Sequence, residues 1–480
     1  MGWAMTSAPV IHWFRRDLRL TDNSALNAAL ESGQPVIPIF VLDENILRSA
    51  NAGLARVAFM LQGLQALDNS LQALGARLHI LEGNPTAVIA RLVNQCGASA
   101  VYANADYTPY ATQRDQQLQH ALRVPFYTYH DALVMPPSSV LTDGGKPYTV
   151  FTPFKKKWRA LSQGIDLIPK PLAHGSFAQL ETPPLSFDLT AWQVATIPLP
   201  SATEAAAQSR LEAFTNSAIY RYGEARNSLN AHPFQGEADT SQLSPYLRFG
   251  LLSPRDTIAA ARDAYRQADR EPARESVNGW VDELIWREFY MHIMAHFPHV
   301  ASGSFKPIYD DLAWEDDPEG LLRWQDGETG YPVVDAAMRQ LNATGWMPNR
   351  TRMIVASFLT KDLLIHWQEG ERYFMQHLID GDPAANNGGW QWSASTGTDA
   401  QPYFRIFNPF SQSERFDPTG AYLRAWIPEI AHLSATEIHA PHNAKHPPKA
   451  YPAPIVDHAF ARNRTLAAFK AISTTSTESE

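Results

Sequence analysis

Residues 10–42 read VIHWFRRDLRLTDNSALNAALESGQPVIPIFVL: an apolar run of strand length, a helix-length segment, and a second apolar run. The pattern continues outward from there. Strand-length apolar runs occur at 10–14, 35–42, 77–81, 99–104 and 124–129, with helix-length segments between them. The clearest helix is 54–74, where Leu54, Val57, Ala58, Leu61, Leu64, Leu67 and Leu71 return at helical spacing. Strands joined by helical crossovers give a doubly wound parallel sheet, so residues 8–131 are expected to form an α/β domain. No GxGxxG follows any strand, which speaks against a dinucleotide site of the usual kind in this region.

Downstream the character changes. Residues 132–203 carry a basic run (Lys155, Lys156, Lys157, Arg159) and then a proline-dotted stretch from Pro169 to Pro200. That composition reads as a long connector. From 204 to 462 the patterns are helical, with serine–proline start signals at Ser244-Pro245 and at Ser253-Pro254-Arg255-Asp256. The end, 463–480, is small and polar and reads as a frayed tail. The expected fold is an α/β N-terminal domain followed by a larger all-α C-terminal domain.

The chain has 480 residues, 45% of them hydrophobic and 19% charged, which suits substantial cores and excludes a disordered chain. A single cysteine, Cys96, excludes an intrachain disulfide framework and any multi-cysteine metal site. No apolar run approaches the roughly 18 residues of a membrane-spanning helix. Residues 1–10 lack the basic region and long apolar stretch of a signal peptide, so a cytoplasmic protein is expected. The net charge of −9 argues, taken alone, against a nucleic-acid partner. The 13 tryptophans point elsewhere: nine of them fall between Trp280 and Trp426.

Four segments carry candidate chemistry. In WVDELIWRE at 280–288, Trp280, Glu283, Trp286 and Arg287 share one helical face. That face is either a helix–helix contact with a satisfied Glu–Arg pair or a flat-walled pocket for a planar heterocycle. In GWMPNRTRM at 345–353, Gly345 and Pro348 are read as a helix start carrying Asn349, Arg350, Arg352 and Met353. Such a start suits phosphate or carboxylate, or is a solvated face. In LIDGDPAANNGGWQW at 378–392, acids, amides and glycines are poor helix material, so a binding loop is expected. Asp380 and Asp382 there fit hydrogen-bond acceptors for a cofactor's N–H groups better than metal ligands, and no metal site is expected. In DTSQLS at 239–244, hydroxyls and backbone N–H groups at a helix start offer a diphosphate cradle, or ordinary capping.

These segments do not stand alone. HWFRRDLRLTDNSAL at 12–26, DELIWREFY at 282–290, GYPVVDAAMRQL at 330–341, NRTRM at 349–353 and DGDPAANNGGWQWSASTGTDAQPYFRIFNP at 380–409 closely resemble class I cyclobutane pyrimidine dimer DNA photolyases. The resemblance runs from about residue 10 to about 450. It implies that the helical domain holds FAD, used in its reduced form FADH⁻, and that UV-damaged DNA is the partner of a monomeric enzyme. Carried over residue by residue, Tyr222, Thr240, Ser241, Gln242, Leu243 and Ser244 would hold the diphosphate side of FAD. Trp280, Arg287, Asn349 and Gly381 would complete the cofactor set. Asp380 and Asp382 would bind the flavin ring, with Arg352 paired to Asp380 and Asn386 against flavin N5. Trp286, Trp392 and Met353 would line the pocket for a flipped-out dimer, with Glu283 hydrogen-bonding a pyrimidine and Asn349 beside it. Arg226, Arg350 and Arg405 would face DNA. Trp390, Trp367 and Trp314 match the family's electron relay. The antenna-facing segments look more like those of 8-hydroxy-5-deazaflavin users than of methenyltetrahydrofolate users, with Arg56 and Asp106 as contacts.

The resemblance leaves relatives to separate. A (6-4) photolyase uses histidines near the lesion, whereas this chain has Met353 at that helix start. A cryptochrome photoreceptor signals without repair; plant types tend to place Asp opposite flavin N5 and animal types Cys, where this chain has Asn386. A glycosylase-like base-flipping hydrolase would act in darkness. The charge objection also weakens on inspection. Residues 309–330 hold eight acids and one base, while 339–361 hold four bases and no acid, which is read as permitting a DNA-binding face.

Overall fold

The computed structural model describes residues 8–180, 197–229, 232–235 and 239–475. Five strands form one parallel sheet: β1 (Val10–Phe14), β2 (Val36–Leu42), β3 (His79–Glu82), β4 (Ala100–Asn104) and β5 (Phe126–Tyr129), in the order β3-β2-β1-β4-β5. The register pairs Val10 with Val36 and with Ala100, so β1 is central and buried along its whole length. The inner strands β1, β2 and β4 are buried almost throughout, as in a parallel sheet covered on both faces, so they read as apolar runs rather than alternating ones; the edge strands β3 and β5 are partly exposed. Three crossover helices start on an amide or hydroxyl cap. Asn23 accepts from the Leu26 N–H at 3.1 Å, Asn84 from Ala87 at 3.2 Å and Thr108 from Ala111 at 3.4 Å. One core layer joins Ile11, Trp13, Ile39 and Val101 of the sheet to Ile89, Leu92 and Leu118 of the helices.

The described chain forms two compact units that are not contiguous in sequence. The first takes in residues up to Tyr148, Thr152–Arg221 and Ser241–Pro298; the second takes in Thr149–Phe151, Tyr222–Thr240 and His299 onward. The boundary drawn from composition at 203/204 does not coincide with a change of unit. The helix Ser244–Phe249 shows why a helical segment belongs with the sheet. It ends at Gly250, whose φ of +62° brings its backbone against Arg16 and Asp17, where a Cβ would overlap the Arg16 carbonyl. The Leu18 N–H then reaches the Phe249 carbonyl at 3.0 Å. The second unit, among its described residues, is helical, around a core that includes Trp324, Tyr331, Leu341, Val355, Trp367, Phe374 and Trp390.

Several expectations need correcting. The connector 132–203 is not uniformly irregular: Phe151–Ser162 is an α-helix, and beyond it Phe177 forms a parallel bridge with Val36 of β2. Residues 181–196, in the middle of the proline-dotted stretch, lie outside the described residues. The tail is not frayed from 463, because His458–Thr475 is a helix. Its Ala461, Thr465 and Phe469 are buried, and the Thr465 hydroxyl donates to the Lys361 carbonyl at 2.5 Å. Small polar composition hid a helix whose order comes from packing. Ser244 is the first residue of its helix rather than the cap, which is Leu243. Gly345 does not start a helix; it ends Pro332–Thr344 with φ +67°, and Pro348 precedes Asn349–Ser357.

Candidate active site

The second unit holds the most telling arrangement. Arg352, one turn into the helix Asn349–Ser357, donates from Nη2 to Asp380 Oδ2 at 2.8 Å and from Nε to the Met347 carbonyl at 2.9 Å. Asp380 is 7% exposed, and its other oxygen, Oδ1, is buried without a donor. A buried acceptor left open costs free energy unless something supplies a donor. Asp382, two residues on, caps the helix Pro383–Ala394, accepting from the N–H groups of Ala384 at 3.0 Å and Ala385 at 3.2 Å. The expected binding loop is therefore only 378–382, and 383–394 is helix. The cap and the first-turn Pro383 outweigh the poor propensity of the asparagines and glycines that follow.

That helix presents its amides to a neighbour. Asn386 Nδ2 donates to the Glu371 carbonyl at 2.9 Å, and Asn387 Nδ2 donates to Glu371 Oε1 at 3.0 Å and to the Val300 carbonyl at 2.8 Å. Burial pushes the Glu371 carboxyl up to about 7, although the Asn387 bond works against it. Glu371 went unnoticed in the sequence, since nothing local marks a carboxylate paired across two helices. The same two helices carry Trp390 and Trp367. They approach at Gly370, where a methyl group would overlap the Trp390 indole. An isolated glycine inside WQEGERYFMQH was a legible sign of such close approach. Trp314 lies against His366, ring centroids 5.1 Å apart, and His366 stacks on Trp367 at 5.7 Å.

The arginines divide. Of the basic stretch 339–361, Arg339 pairs with Glu429 at 2.9 Å, Arg352 pairs with Asp380, and Lys361 is buried, donating to the Ala394 carbonyl at 2.8 Å. The stretch is not a basic face, because three of its four cations are spent internally. Arg350 is the exception. It donates to Asn227 Oδ1 at 2.7 Å and lies over the Phe416 ring. Burial, with Arg226 and Arg415 nearby, depresses its pKa, so guanidinium groups from three separate segments gather here. Arg226 lies over the Tyr222 ring, and Arg405 is exposed. Met353 is half-buried, 4.0 Å from the Asn349 amide nitrogen, and Trp392 is half-buried.

In the first unit, Trp280 donates from Nε1 to the Ser241 hydroxyl at 3.3 Å, while Arg287 donates to the carbonyls of Ala132 at 2.8 Å and Leu247 at 3.3 Å. Arg287 thus ties segments together through carbonyls. Glu283 and Trp286 are half-buried; Trp286 meets Phe289 edge-on at 5.5 Å and Tyr290 at 5.5 Å. The residue that sequence reading missed on this helix is Glu288. It is buried and accepts from the Trp158 indole and the Val134 and Met135 N–H groups, and its pKa is raised by burial despite those bonds. Leu243 is buried, Gln242 takes φ +50° with its oxygen on Arg210, and Ser244 is exposed. Of the antenna candidates, Asp106 pairs with Arg16 at 3.5 Å while Arg56 donates to the Asn51 carbonyl at 2.5 Å. Burial opposes ionisation of Asp106, yet Arg16, Arg114, Arg15 and Arg248 hold its pKa below the usual range. No His/Cys/Asp/Glu cluster able to hold a metal occurs among the described residues, nor does a helix long and apolar enough to cross a membrane.

A family model described as the FAD binding domain of DNA photolyase matches residues 280–471, and one described as DNA photolyase matches 10–173. A deoxyribodipyrimidine photo-lyase of Synechococcus sp. is 41% identical over 490 residues, covering 99% of each chain. The chain belongs to the DNA photolyase family. The corresponding photo-lyase of Escherichia coli is 40% identical, covering 96% of this chain and 98% of that one. Among solved structures, a class III photolyase from Agrobacterium tumefaciens superposes with a TM-score of 0.87 at 36% identity, covering 99% of both chains. A Synechocystis sp. cryptochrome gives 0.87 at 28% identity, covering 96% of this chain and 99% of that one. Photolyase and cryptochrome thus share this fold, and side chains must separate them.

Proposed function

We propose that this photolyase-family chain reverses cyclobutane pyrimidine dimers in DNA in a light-driven, FAD-dependent reaction. The observation that carries the reading is Asp380, a buried carboxylate with one oxygen locked by Arg352 and the other open to a donor. An N–H of a planar heterocycle satisfies that oxygen, and FAD fits. Bound in its reduced form, FAD would supply a photoexcitable one-electron donor, the chemistry that opening a cyclobutane ring requires. The protein needs no proton-transfer pair for this. Its residues bind, orient and exclude water.

Arg352 and Asp380 hold the ring, Asp382 fixes the start of the helix that carries Asn386, and Asn386 is assigned to flavin N5. Tyr222, Thr240, Ser241, Gln242, Leu243, Ser244, Trp280, Arg287, Asn349 and Gly381 complete the cofactor assignment. Trp286 and Glu283 are assigned to the dimer, as are Met353 and Trp392. A damaged pair stacks poorly and costs least to flip out, by a few kcal/mol, which favours the lesion over intact bases. Arg226, Arg350 and Arg405 are assigned to phosphates, where their contribution weakens with salt. Trp390, Trp367 and Trp314 are assigned to the relay that returns oxidised flavin to its working state.

Specificity for cyclobutane dimers over (6-4) products is read from Met353 in NRTRM, where a (6-4) enzyme would carry histidine. Offering both lesions in matched oligonucleotides under blue light tests it: repair of the cyclobutane dimer alone is expected, and repair of the (6-4) product would overturn it. The antenna is proposed to be 8-hydroxy-5-deazaflavin, with methenyltetrahydrofolate as the alternative. Asp106 follows β4 and Arg16 follows β1, at the carboxyl ends where the strand order reverses, the usual ligand position in a doubly wound sheet. Absorption spectra before and after chromophore extraction distinguish the two.

A further inference from the structure

His366 stands between two tryptophans of the proposed relay. Its ring centroid is 5.1 Å from that of Trp314 and 5.7 Å from that of Trp367. The Trp314 segment is held there by the Glu315 N–H, which reaches the Leu364 carbonyl at 2.8 Å. His366 is also the N-cap of the helix Trp367–His377: its Nδ1 accepts from the Gln368 N–H at 3.2 Å. That bond leaves the ring proton of the neutral imidazole on Nε2. The indole Nε1–H groups of Trp314, Trp367 and Trp390 are buried without an acceptor. Oxidation removes an electron from the indole before any proton leaves, so the oxidised ring is first a cation and feels every neighbouring charge.

We propose that His366 is a positioning residue for electron relay, whose charge state sets how readily Trp367 and Trp314 give up an electron. The proposal rests on the relay assignment above. An electron leaves Trp390 for photoexcited oxidised flavin, Trp367 refills Trp390, and Trp314 refills Trp367. A soluble thiol then gives one electron to Trp314 and its own proton to solvent. Each indole step moves one electron and no proton. Neutral His366 permits these steps. Protonation on Nδ1 breaks the cap and places a cation beside both indoles, which opposes their oxidation.

Burial holds the imidazole below its ordinary range, with Asp310 and Glu369 working upward and Arg372 downward, so it is neutral at pH 7. The other charges near it are largely committed. Glu369 pairs with Arg372 at 2.7 Å, Asp310 accepts from the Ser304 N–H at 2.8 Å, and Glu315 pairs with Arg464 at 3.5 Å. Unit charges at this separation, even at an effective dielectric near 20, shift an equilibrium by more than about tenfold.

Flash photolysis of the FAD-loaded, oxidised protein between about pH 8 and about pH 4, a window reaching well below the ordinary histidine value because burial lowers this one, reads the yield of oxidised Trp314. Wild type is expected to lose about tenfold across that range. His366→Asn keeps an acceptor for the Gln368 N–H and cannot titrate, so it should hold the high yield throughout. NMR of the FAD-free protein with labelled histidine should place the His366 midpoint at the midpoint of the wild-type loss. An unchanged pH profile in His366→Asn, or an NMR midpoint that does not match, overturns the role of His366. Trp390→Phe separates this from failure of the relay itself: undiminished tryptophan oxidation there at every pH overturns the relay assignment.

Discussion

At the residue scale, the central group is Asp380. Arg352→Ala would leave it buried and unpartnered, and a loss of about 2–4 kcal/mol in unfolding free energy is expected, with FAD retention falling alongside. Denaturant unfolding and flavin content of the purified variant check both. Trp286→Ala is expected to weaken binding of dimer-containing DNA by about 1–3 kcal/mol, the range for one base–aromatic stack. Unchanged affinity would remove Trp286 from the lesion assignment. Trp390→Phe should block photoreduction of oxidised flavin while sparing repair by flavin already reduced. The Arg352–Asp380 pair was legible in the sequence only through the family motif, since the two lie 28 residues apart. Glu371 and Glu288 were not legible at all. Their significance comes from burial and from partners on other elements, Asn387 for one and Trp158 for the other.

At the element scale, the helix pair Trp367–His377 and Pro383–Ala394 is the device that brings Trp390 close to its neighbours. Gly370→Ala inserts a methyl into the Trp390 indole, with backbone and ring both packed in the core. Overpacking of this kind should cost about 1–3 kcal/mol and slow photoreduction together, measured by denaturant unfolding and flash photolysis. Unchanged stability would mean the helices can part without cost. The strands were read from the sequence within two or three residues, because the buried inner strands of a parallel sheet write themselves as apolar runs. The helix 383–394 was missed for the opposite reason. Its glycines and asparagines argue against helix locally, and the Asp382 cap and tertiary amide contacts decide it. The C-terminal helix was missed likewise, its anchors being Thr465 and Phe469 in otherwise small polar sequence.

At the scale of the whole molecule, net charge proved a poor guide and so did linear charge runs. The cations proposed for DNA include Arg350 and Arg226, gathered from distant segments with Arg415 beside them. Arg350→Ala should weaken binding to damaged and undamaged DNA alike and lower the salt slope of log K by about 1. Acid stability should depend on Asp131. Burial alone would raise its pKa, but Arg19 at 2.7 Å and Arg255 at 2.8 Å overcome that and hold it at about 2. Its stabilisation is full above the unfolded carboxyl value of about 4 and is lost as pH falls through about 2. Asp131→Asn should therefore flatten the acid limb of the thermal unfolding profile.

The central claim is that light drives the chemistry. Purified protein carrying reduced FAD, mixed with an oligonucleotide containing one cyclobutane dimer, is divided between blue light and darkness, and intact pyrimidines are counted. Restoration in light and none in darkness is the expected result; restoration in darkness, or none in light with FAD reduced and DNA bound, would contradict it.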